Sequence, residues 1–302
     1  MTPGADGAAW WEMIVEIPDA AAEALTNFLW EQGAVGVVEE ETPGAPAQLR
    51  AFFPATAGAD TLAGRVDGYL AALRALGHTA ATTARLAPLA DDDWTAAWRE
   101  HFRPVAVGRR LVVLPPWEMR PPGDRLPLVI EPGRAFGTGH HGTTGGCLTL
   151  LETVAEREHP ARAIDLGTGS GILAVAAVRL GIARVLACDT DPDAVAAACA
   201  NAERNGVRDR VDVVLADARA LAAEPAPLVL ANLLAAAHRA LGVSYRRLVA
   251  PGGVLIAGGI LDVEAEEVAR ALGPPGFAVE AEVHFDGWTT LALRHAPLHG
   301  RA

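Results

Sequence analysis

Residues 164–171 read "IDLGTGSG": an apolar strand ending at an acid, then glycines at 167, 169 and 171, then the apolar run "ILAVAAV". A chain leaving a strand here must turn sharply. Gly167, Gly169 and Gly171 supply the backbone freedom for that turn and for close approach to a ligand. The helix that follows presents N–H groups with no intrahelical partner. The spacing is G-x-G-x-G led by Asp165, whereas dinucleotide sites carry G-x-G-x-x-G. A carboxylate at the head of the turn disfavours a pyrophosphate and favours a ligand with a positive end. S-adenosyl-L-methionine has an ammonium and a sulfonium.

The pattern around this turn sets the fold class. From residue 162 onward, buried-type strands alternate with amphipathic helices: "ARAIDL", "ARVLACD", "RVDVVLAD", "PLVLANL" and "GGVLIAGGI" are each followed by a helical or polar segment. Such alternation predicts an α/β, mostly parallel, doubly wound sheet. "FAVEAEVHF" and "WTTLALRH" follow each other without a helix, so these last two of seven strands should pair antiparallel.

Ligands of such sheets bind at the carboxyl ends of the strands. Asp189 ends the second strand eighteen residues past Gly171, where a carboxylate can accept both hydroxyls of a ribose. Asp191 precedes Pro192 and reads instead as a helix N-cap with proline at the first helical position. Asn205-Gly206 closes that helix. Asp217 follows the third strand and is either an acceptor for an adenine amino group or a solvated loop aspartate. Asn232 ends the fourth strand in "LVLANLL". Its amide can accept from an incoming amine and aim the lone pair at a methyl group; the bland alternative is a loop asparagine. Leu233 and Leu234 replace the aromatic that would stack on a planar base.

Upstream lies "EPGRAFGTGHHGTTGG" (131–146), with six glycines, adjacent His140 and His141, and three threonines. A Walker-type phosphate loop needs lysine. The chain has none, all 25 basic residues being arginine, which also removes a Schiff base. No partner at ligand spacing accompanies the histidines, so no metal is expected. The first ninety residues read β-α-β-β-α-β, the ferredoxin-like order: strands at 10–17, 33–40 and 48–54, a helix from Pro18-Asp19 to about Gln32, a second over 59–76, and a last strand at 78–86. Nothing in that head looks catalytic. "PLADDDWTAAWREHFRP" (88–104) reads as a connector in which Asp93 caps a short helix with Trp94 and Trp98 on one face.

A net charge of −12 lacks the basic footprint of a nucleic-acid binder and suits a basic protein partner. The longest apolar runs fall short of a membrane span, and no signal peptide is indicated. Cys147, Cys188 and Cys199 form no CxxC pair, which fits a reducing cytoplasm.

Together, "PLVIEPGRAFGTGHHGTT", "DLGTGSGIL", "CDTDP" and "ANLL" resemble the ribosomal protein L11 methyltransferases (the PrmA family) over nearly the whole chain. The resemblance implies a Rossmann-like class I methyltransferase domain at 104–302, a linker helix at 88–103 and a ferredoxin-like substrate-recognition domain at 1–87. It implies S-adenosyl-L-methionine as cofactor and methylation of α-amino and lysine amino groups of that ribosomal protein, by a cytoplasmic monomer. It also implies that the loop from Phe136 to Thr144 closes over the cofactor with Thr144 touching it, and that Gly167, Asp189 and Asn232 are further contacts. Gly142 and Gly145-Gly146 depart from the family's pattern and give a junction of low helix propensity. The residues alone leave open a methyltransferase of another protein or small amine, a nicotinamide-dependent oxidoreductase on the same sheet, and a non-catalytic cofactor-binding module.

Overall fold

Apolar side chains at every second position of Trp10–Ile17 (β1) and Ala47–Pro54 (β3) need one buried sheet face. A computed structural model of the chain supplies it, and describes residues 10–18, 25, 26, 28, 29, 32–34, 36–40, 47–75, 84–89, 104–118, 123–131, 142–273 and 276–296. The chain divides into two units, Met1–Arg103 and Pro104–Ala302.

In the first unit, β1 and β3 join Gly36–Glu40 (β2) and Ala84–Leu89 (β4) in an antiparallel sheet of order β2-β3-β1-β4. That is the ferredoxin-like order. Met13, Val15, Leu49, Ala51 and Phe53 are buried on one face with Leu62, Val66, Leu70 and Leu73 of the helix Ala59–Ala75 (α1). Those three leucines and one valine recur at helical spacing, which is why the segment forms a helix against the sheet. Of the helix expected from Asp19, residues 25, 26, 28 and 29 are described and are helical. The last expected strand is described from Ala84 onward and continues to Leu89, past the expected end at 86 and into the segment read as a connector. Residues 78–83, Trp94 and Trp98 lie outside the described residues.

The second unit opens with Val105–Val107 (β5), Leu111–Leu114 (β6) and Leu126–Val129 (β7), a small sheet of order β5-β6-β7. Gly108 turns between the first two at φ +54, and a Cβ there would lie 2.2 Å from Glu152 Oε2. That buried carboxylate accepts from Arg109 N at 2.9 Å, so it clasps the turn to the helix Gly142–Glu158 (α2).

Beyond α2 the chain alternates Arg162–Leu166 (β8), Ile172–Arg179 (α3), Arg184–Asp189 (β9), Pro192–Arg204 (α4), Val211–Leu215 (β10), Ala226–Asn232 (β11), Ala235–Leu248 (α5), Val249–Leu261 (β12), Ala265–Leu272 (α6), Phe277–Phe285 (β13) and Trp288–His295 (β14). The seven strands run β10-β9-β8-β11-β12-β14-β13, parallel except for β14, which is antiparallel to both its neighbours. Alternate residues feed opposite faces. Leu228, Leu230, Val254 and Ile256 pack with α2 and α3; Val229, Ala231, Leu255 and Ala257 pack with α5 and α6. Helices on both faces of a mostly parallel sheet are the doubly wound architecture. The order reverses beside β8, so the connections that leave β8 and β11 run to opposite faces of the sheet, which makes the crevice where such folds bind ligands. Among the described residues no helix is long and apolar enough to cross a membrane.

Candidate active site

The glycine turn is built on positive φ angles of 68, 53 and 80 degrees at Gly167, Gly169 and Gly171. Its N–H groups are largely engaged within the protein. Gly167 N and Thr168 N donate to Cys188 O, Gly171 N donates to Thr168 O, and Gly169 N donates to Asp189 Oδ2 at 2.9 Å. A turn whose donors are already engaged is poorly suited to cradle a pyrophosphate, which needs them free. Gly171 also lets α3 and α4 meet: a Cβ there would lie 2.9 Å from Ala198 Cα.

Asp165 sits beneath this turn, 1% exposed, accepting from Thr168 Oγ1 at 2.6 Å through Oδ2. Its Oδ1 is buried with no partner. Burial pushes its pKa up from 3.8 to about 7, and the nearby Asp189 charge pushes the same way, against the Thr168 and Ala174 hydrogen bonds. A buried acceptor with one oxygen unpaired is costly and calls for a cation or a donor.

The neighbouring strand ends carry the other carboxylates. Half-buried Asp189 accepts Gly169 N through Oδ2 and Asp191 N through Oδ1, so it ties the glycine turn to the next loop while its remaining lone pairs stay available. Asp191 caps α4 by accepting from Asp193 N at 2.9 Å, with Pro192 at the first helical position. The helix closes with Val207 N on Ala202 O and Gly206 at φ +65. Asp217 follows β10 and is held by Arg219, whose backbone N donates at 2.8 Å and whose Nε donates at 2.9 Å. The Arg219 guanidinium holds its pKa down at about 2. The loop reading of Asp217 thus has partners of its own.

Asn232 ends β11 at the same edge. Its Nδ2 donates to Thr143 Oγ1 at 3.3 Å and Thr144 Oγ1 at 3.5 Å in the first turn of α2. Both threonines are buried. That contact orients the amide and leaves Oδ1 buried without a partner. Leu233 then crosses the glycine turn, since a Cβ at Gly167 would lie 2.5 Å from Leu233 Cδ2. The structure therefore gathers Thr144, Asp165, Gly167, Gly169, Gly171, Asp189 and Asn232 at one edge of the sheet, with Asp217 at the end of the adjacent β10.

Close packing behind Asn232 depends on absent side chains. A Cβ at Gly146 would lie 2.4 Å from Thr290 Oγ1, and one at Gly258 would lie 2.3 Å from Cys147 Sγ. Gly146, read from sequence as a weakness in the helix, is therefore the residue that lets α2 press against the sheet and bring its threonines to Asn232. Phe136, His140 and His141 lie outside the described residues.

Several side chains that shape the site were given no role from sequence. Thr143 is the nearer threonine on Asn232, and Thr168 gives its hydroxyl to Asp165. Asn201 Nδ2 donates to Ser170 O at 2.8 Å while its Oδ1 accepts from Glu131 N at 3.0 Å, joining the glycine turn to the segment that leads into the histidine loop. Inward-facing polar residues on an alanine-rich helix were the only signal for Asn201. Among the described residues no group of three or more His, Cys, Asp or Glu is placed to hold a metal ion.

Known proteins share this layout. The profile of a family described as "Ribosomal protein L11 methyltransferase (PrmA)" matches residues 9–296. A ribosomal protein L11 methyltransferase of Pelotomaculum thermopropionicum is 40% identical over 94% of this chain and 98% of its own length. One from Geobacter sulfurreducens is 37% identical over 95% of this chain and 98% of its own. The crystal structure of a ribosomal protein L11 methylase from Lactobacillus delbrueckii subsp. bulgaricus superposes with a TM-score of 0.60 at 29% identity, covering 65% of this chain and all of that one. With a family profile matched from the first described strand to the last, and with relatives aligned end to end, the chain belongs to the ribosomal protein L11 methyltransferase (PrmA) family.

Proposed function

We propose that this chain transfers methyl groups from S-adenosyl-L-methionine to α-amino and lysine amino groups of ribosomal protein L11. The observation that carries the reading is Asn232 Oδ1, a buried acceptor without a partner at the edge where the glycine turn lies. A loop asparagine with no ligand to meet would turn that oxygen to water or to a donor. S-adenosyl-L-methionine fits the remaining groups. Asp165 Oδ1 is a second buried acceptor without a partner, suited to an ammonium. The engaged N–H groups of Gly167, Thr168, Gly169 and Gly171 favour this cofactor over the pyrophosphate of the nicotinamide alternative.

When bound, the cofactor supplies an electrophilic methyl carbon on a sulfonium. The chain supplies position. Asn232 Oδ1 accepts an N–H of the neutral amine, so the nitrogen lone pair points away from it toward the carbon. Thr143 and Thr144 hold the amide in that orientation through Nδ2. Asp189 keeps the glycine turn in place and accepts the ribose hydroxyls, and Thr144 borders the cofactor from α2. Asp217 would take an adenine amino group in exchange for one of the four contacts that Arg219 makes to its two oxygens. A free lysine brought to neutrality at pH 7 costs roughly 4–5 kcal/mol, part of which leaving water supplies. Direct displacement forms the N–C bond as the S–C bond breaks, and the amine proton passes to solvent.

The first unit presents the protein substrate. Its place in the chain ahead of the catalytic unit and a sequence in which nothing looks catalytic support that role. A net charge of −12 suits a basic ribosomal protein and repels RNA. We read the enzyme as a cytoplasmic monomer that takes the free protein. Thermal shift with S-adenosylhomocysteine against NAD tests the cofactor: stabilisation by the first alone is expected, and stabilisation by NAD alone would overturn the reading. Intact-mass analysis of ribosomal protein L11 after incubation with enzyme and S-adenosyl-L-methionine tests the substrate, and an unchanged mass would refute it.

A further inference from the structure

We propose that His238 is a positioning residue for methyl transfer: with Tyr245 it pins the Gly258 carbonyl from which the Asn232–Leu233 elbow hangs. The inference rests on the reading of Asn232 as the acceptor of the amine.

His238 and Tyr245 lie two turns apart on α5 and point into the apolar face of the sheet, both 0% exposed. Leucines at these positions would fill the space without burying polar atoms, so the polar groups need a reason. His238 Nδ1 is 2.8 Å from the Tyr245 hydroxyl, and Nε2 is 2.8 Å from Gly258 O. A carbonyl only accepts, so Nε2 carries the hydrogen. Nδ1 is then bare and accepts the tyrosine O–H. Tyr245 thus selects the tautomer, and His238 delivers it. Burial lowers the imidazole pKa to about 4, against the pull of the Gly258 and Leu233 carbonyls, which keeps the ring neutral at ordinary pH.

The carbonyl it grips is the wall behind the site. Gly258 O also accepts from Leu233 N at 3.0 Å, the bond that extends β11 one residue past Asn232. Asn232 and Gly258 are direct partners in the register of β11 and β12. A Cβ on Gly258 would come within 3.2 Å of Asn232 Oδ1. The β12–β14 register shifts between Ala257 and Ile260, so neither Gly258 nor Gly259 has a register partner in β14. With the ladder broken on that side, His238 supplies the second fixed contact to the Gly258 carbonyl. Moving that peptide moves the amide that aims the amine, and a displacement of about 1 Å in such a group can lower a rate on the order of 100-fold.

Ribosomal protein L11 methylation by folded full-length variants tests this, with the imidazole nitrogens of the wild type read by NMR. The NMR spectrum is expected to show the Nε2–H tautomer at neutral pH; Nδ1–H or imidazolium would overturn the proposal. His238→Ala is expected to lower kcat about 10- to 100-fold while the KM for ribosomal protein L11 and the affinity for S-adenosylhomocysteine change less than about threefold. His238→Gln, which keeps a donor within reach of Gly258, should recover most of the lost rate. Tyr245→Phe preserves the core volume and removes only the hydroxyl, so it carries the test if the alanine variant does not fold; kcat is expected to fall about threefold or more. Wild-type kcat in folded His238→Ala or Tyr245→Phe, or a glutamine variant no better than alanine, would overturn the role. Asn232→Ala separates the two readings. Loss of rate there with none at His238 sinks the positioning role alone, whereas full rate in Asn232→Ala sinks the reading on which it rests.

Discussion

Replacing Asp165 by asparagine should stabilise the free protein and weaken its hold on the cofactor. The carboxyl is 1% exposed, with Oδ1 unpartnered and a pKa raised from 3.8 to about 7. A group whose folded pKa is raised contributes its full stability below the unfolded pKa, and that stability is lost as pH rises toward the folded value. Between those limits the unfolded chain ionises while the folded one keeps its proton. The shift of about three units corresponds to roughly 4 kcal/mol, all of it lost above about pH 7. Asparagine keeps an acceptor for the Thr168 hydroxyl and does not ionise. The stability of Asp165→Asn relative to wild type, from urea unfolding, should therefore rise by about 1.4 kcal/mol per pH unit from about pH 5 to pH 7 and stay level above. Calorimetry with S-adenosylhomocysteine should show affinity reduced about ten- to hundredfold, the worth of a hydrogen bond to a charged group. The wild type should also release a proton on binding near neutral pH, because a cation beside Asp165 favours its charged form. Parallel stability curves for the two proteins across this range would refute the burial argument, and unchanged affinity would refute the assignment to the cofactor.

The adjacent aspartates should separate cleanly. Asp189→Asn is expected to weaken S-adenosyl-L-methionine binding by about 1.5–3 kcal/mol, whereas Asp191→Ala should cost about 1 kcal/mol of unfolding stability through loss of the α4 cap and leave calorimetric affinity alone. Neighbouring glycines should respond with opposite signs. Gly146→Ala meets Thr290 and should destabilise by roughly 1–3 kcal/mol and lower methylation, whereas Gly145→Ala has nothing within 4 Å and should stabilise by up to about 1 kcal/mol through helix propensity. Denaturant midpoints for the pair decide this, and two equal shifts would contradict it.

The legible features were those written within a few residues. The glycine turn, the Asp191-Pro192 cap, the Asn205-Gly206 stop and the alternation of strands and helices all follow from local turn chemistry and periodicity. The antiparallel pairing of β13 with β14 was legible because no helix separates them. What the sequence hid depends on register. Asn232 and Thr143 are 89 residues apart and meet only because β11 and the start of α2 share one edge. Gly146 looked like poor helix material because the reason for it, Thr290, lies on a strand near the other end of the chain. Pro127 disguised β7, which tolerates proline because it lies at the edge of its small sheet. The role of His238 had no local signal, since its partner is a backbone carbonyl on another strand.

The most direct test of the centre is single-turnover methylation of ribosomal protein L11 by wild type and Asn232→Ala, each saturated with S-adenosyl-L-methionine. Wild type should place methyl groups on amino nitrogens of the ribosomal protein, and the variant should do so at least about 100-fold more slowly while its affinity for S-adenosylhomocysteine changes less than about tenfold. Equal rates from the two proteins, or methyl groups on atoms other than amino nitrogen, would contradict the assignment.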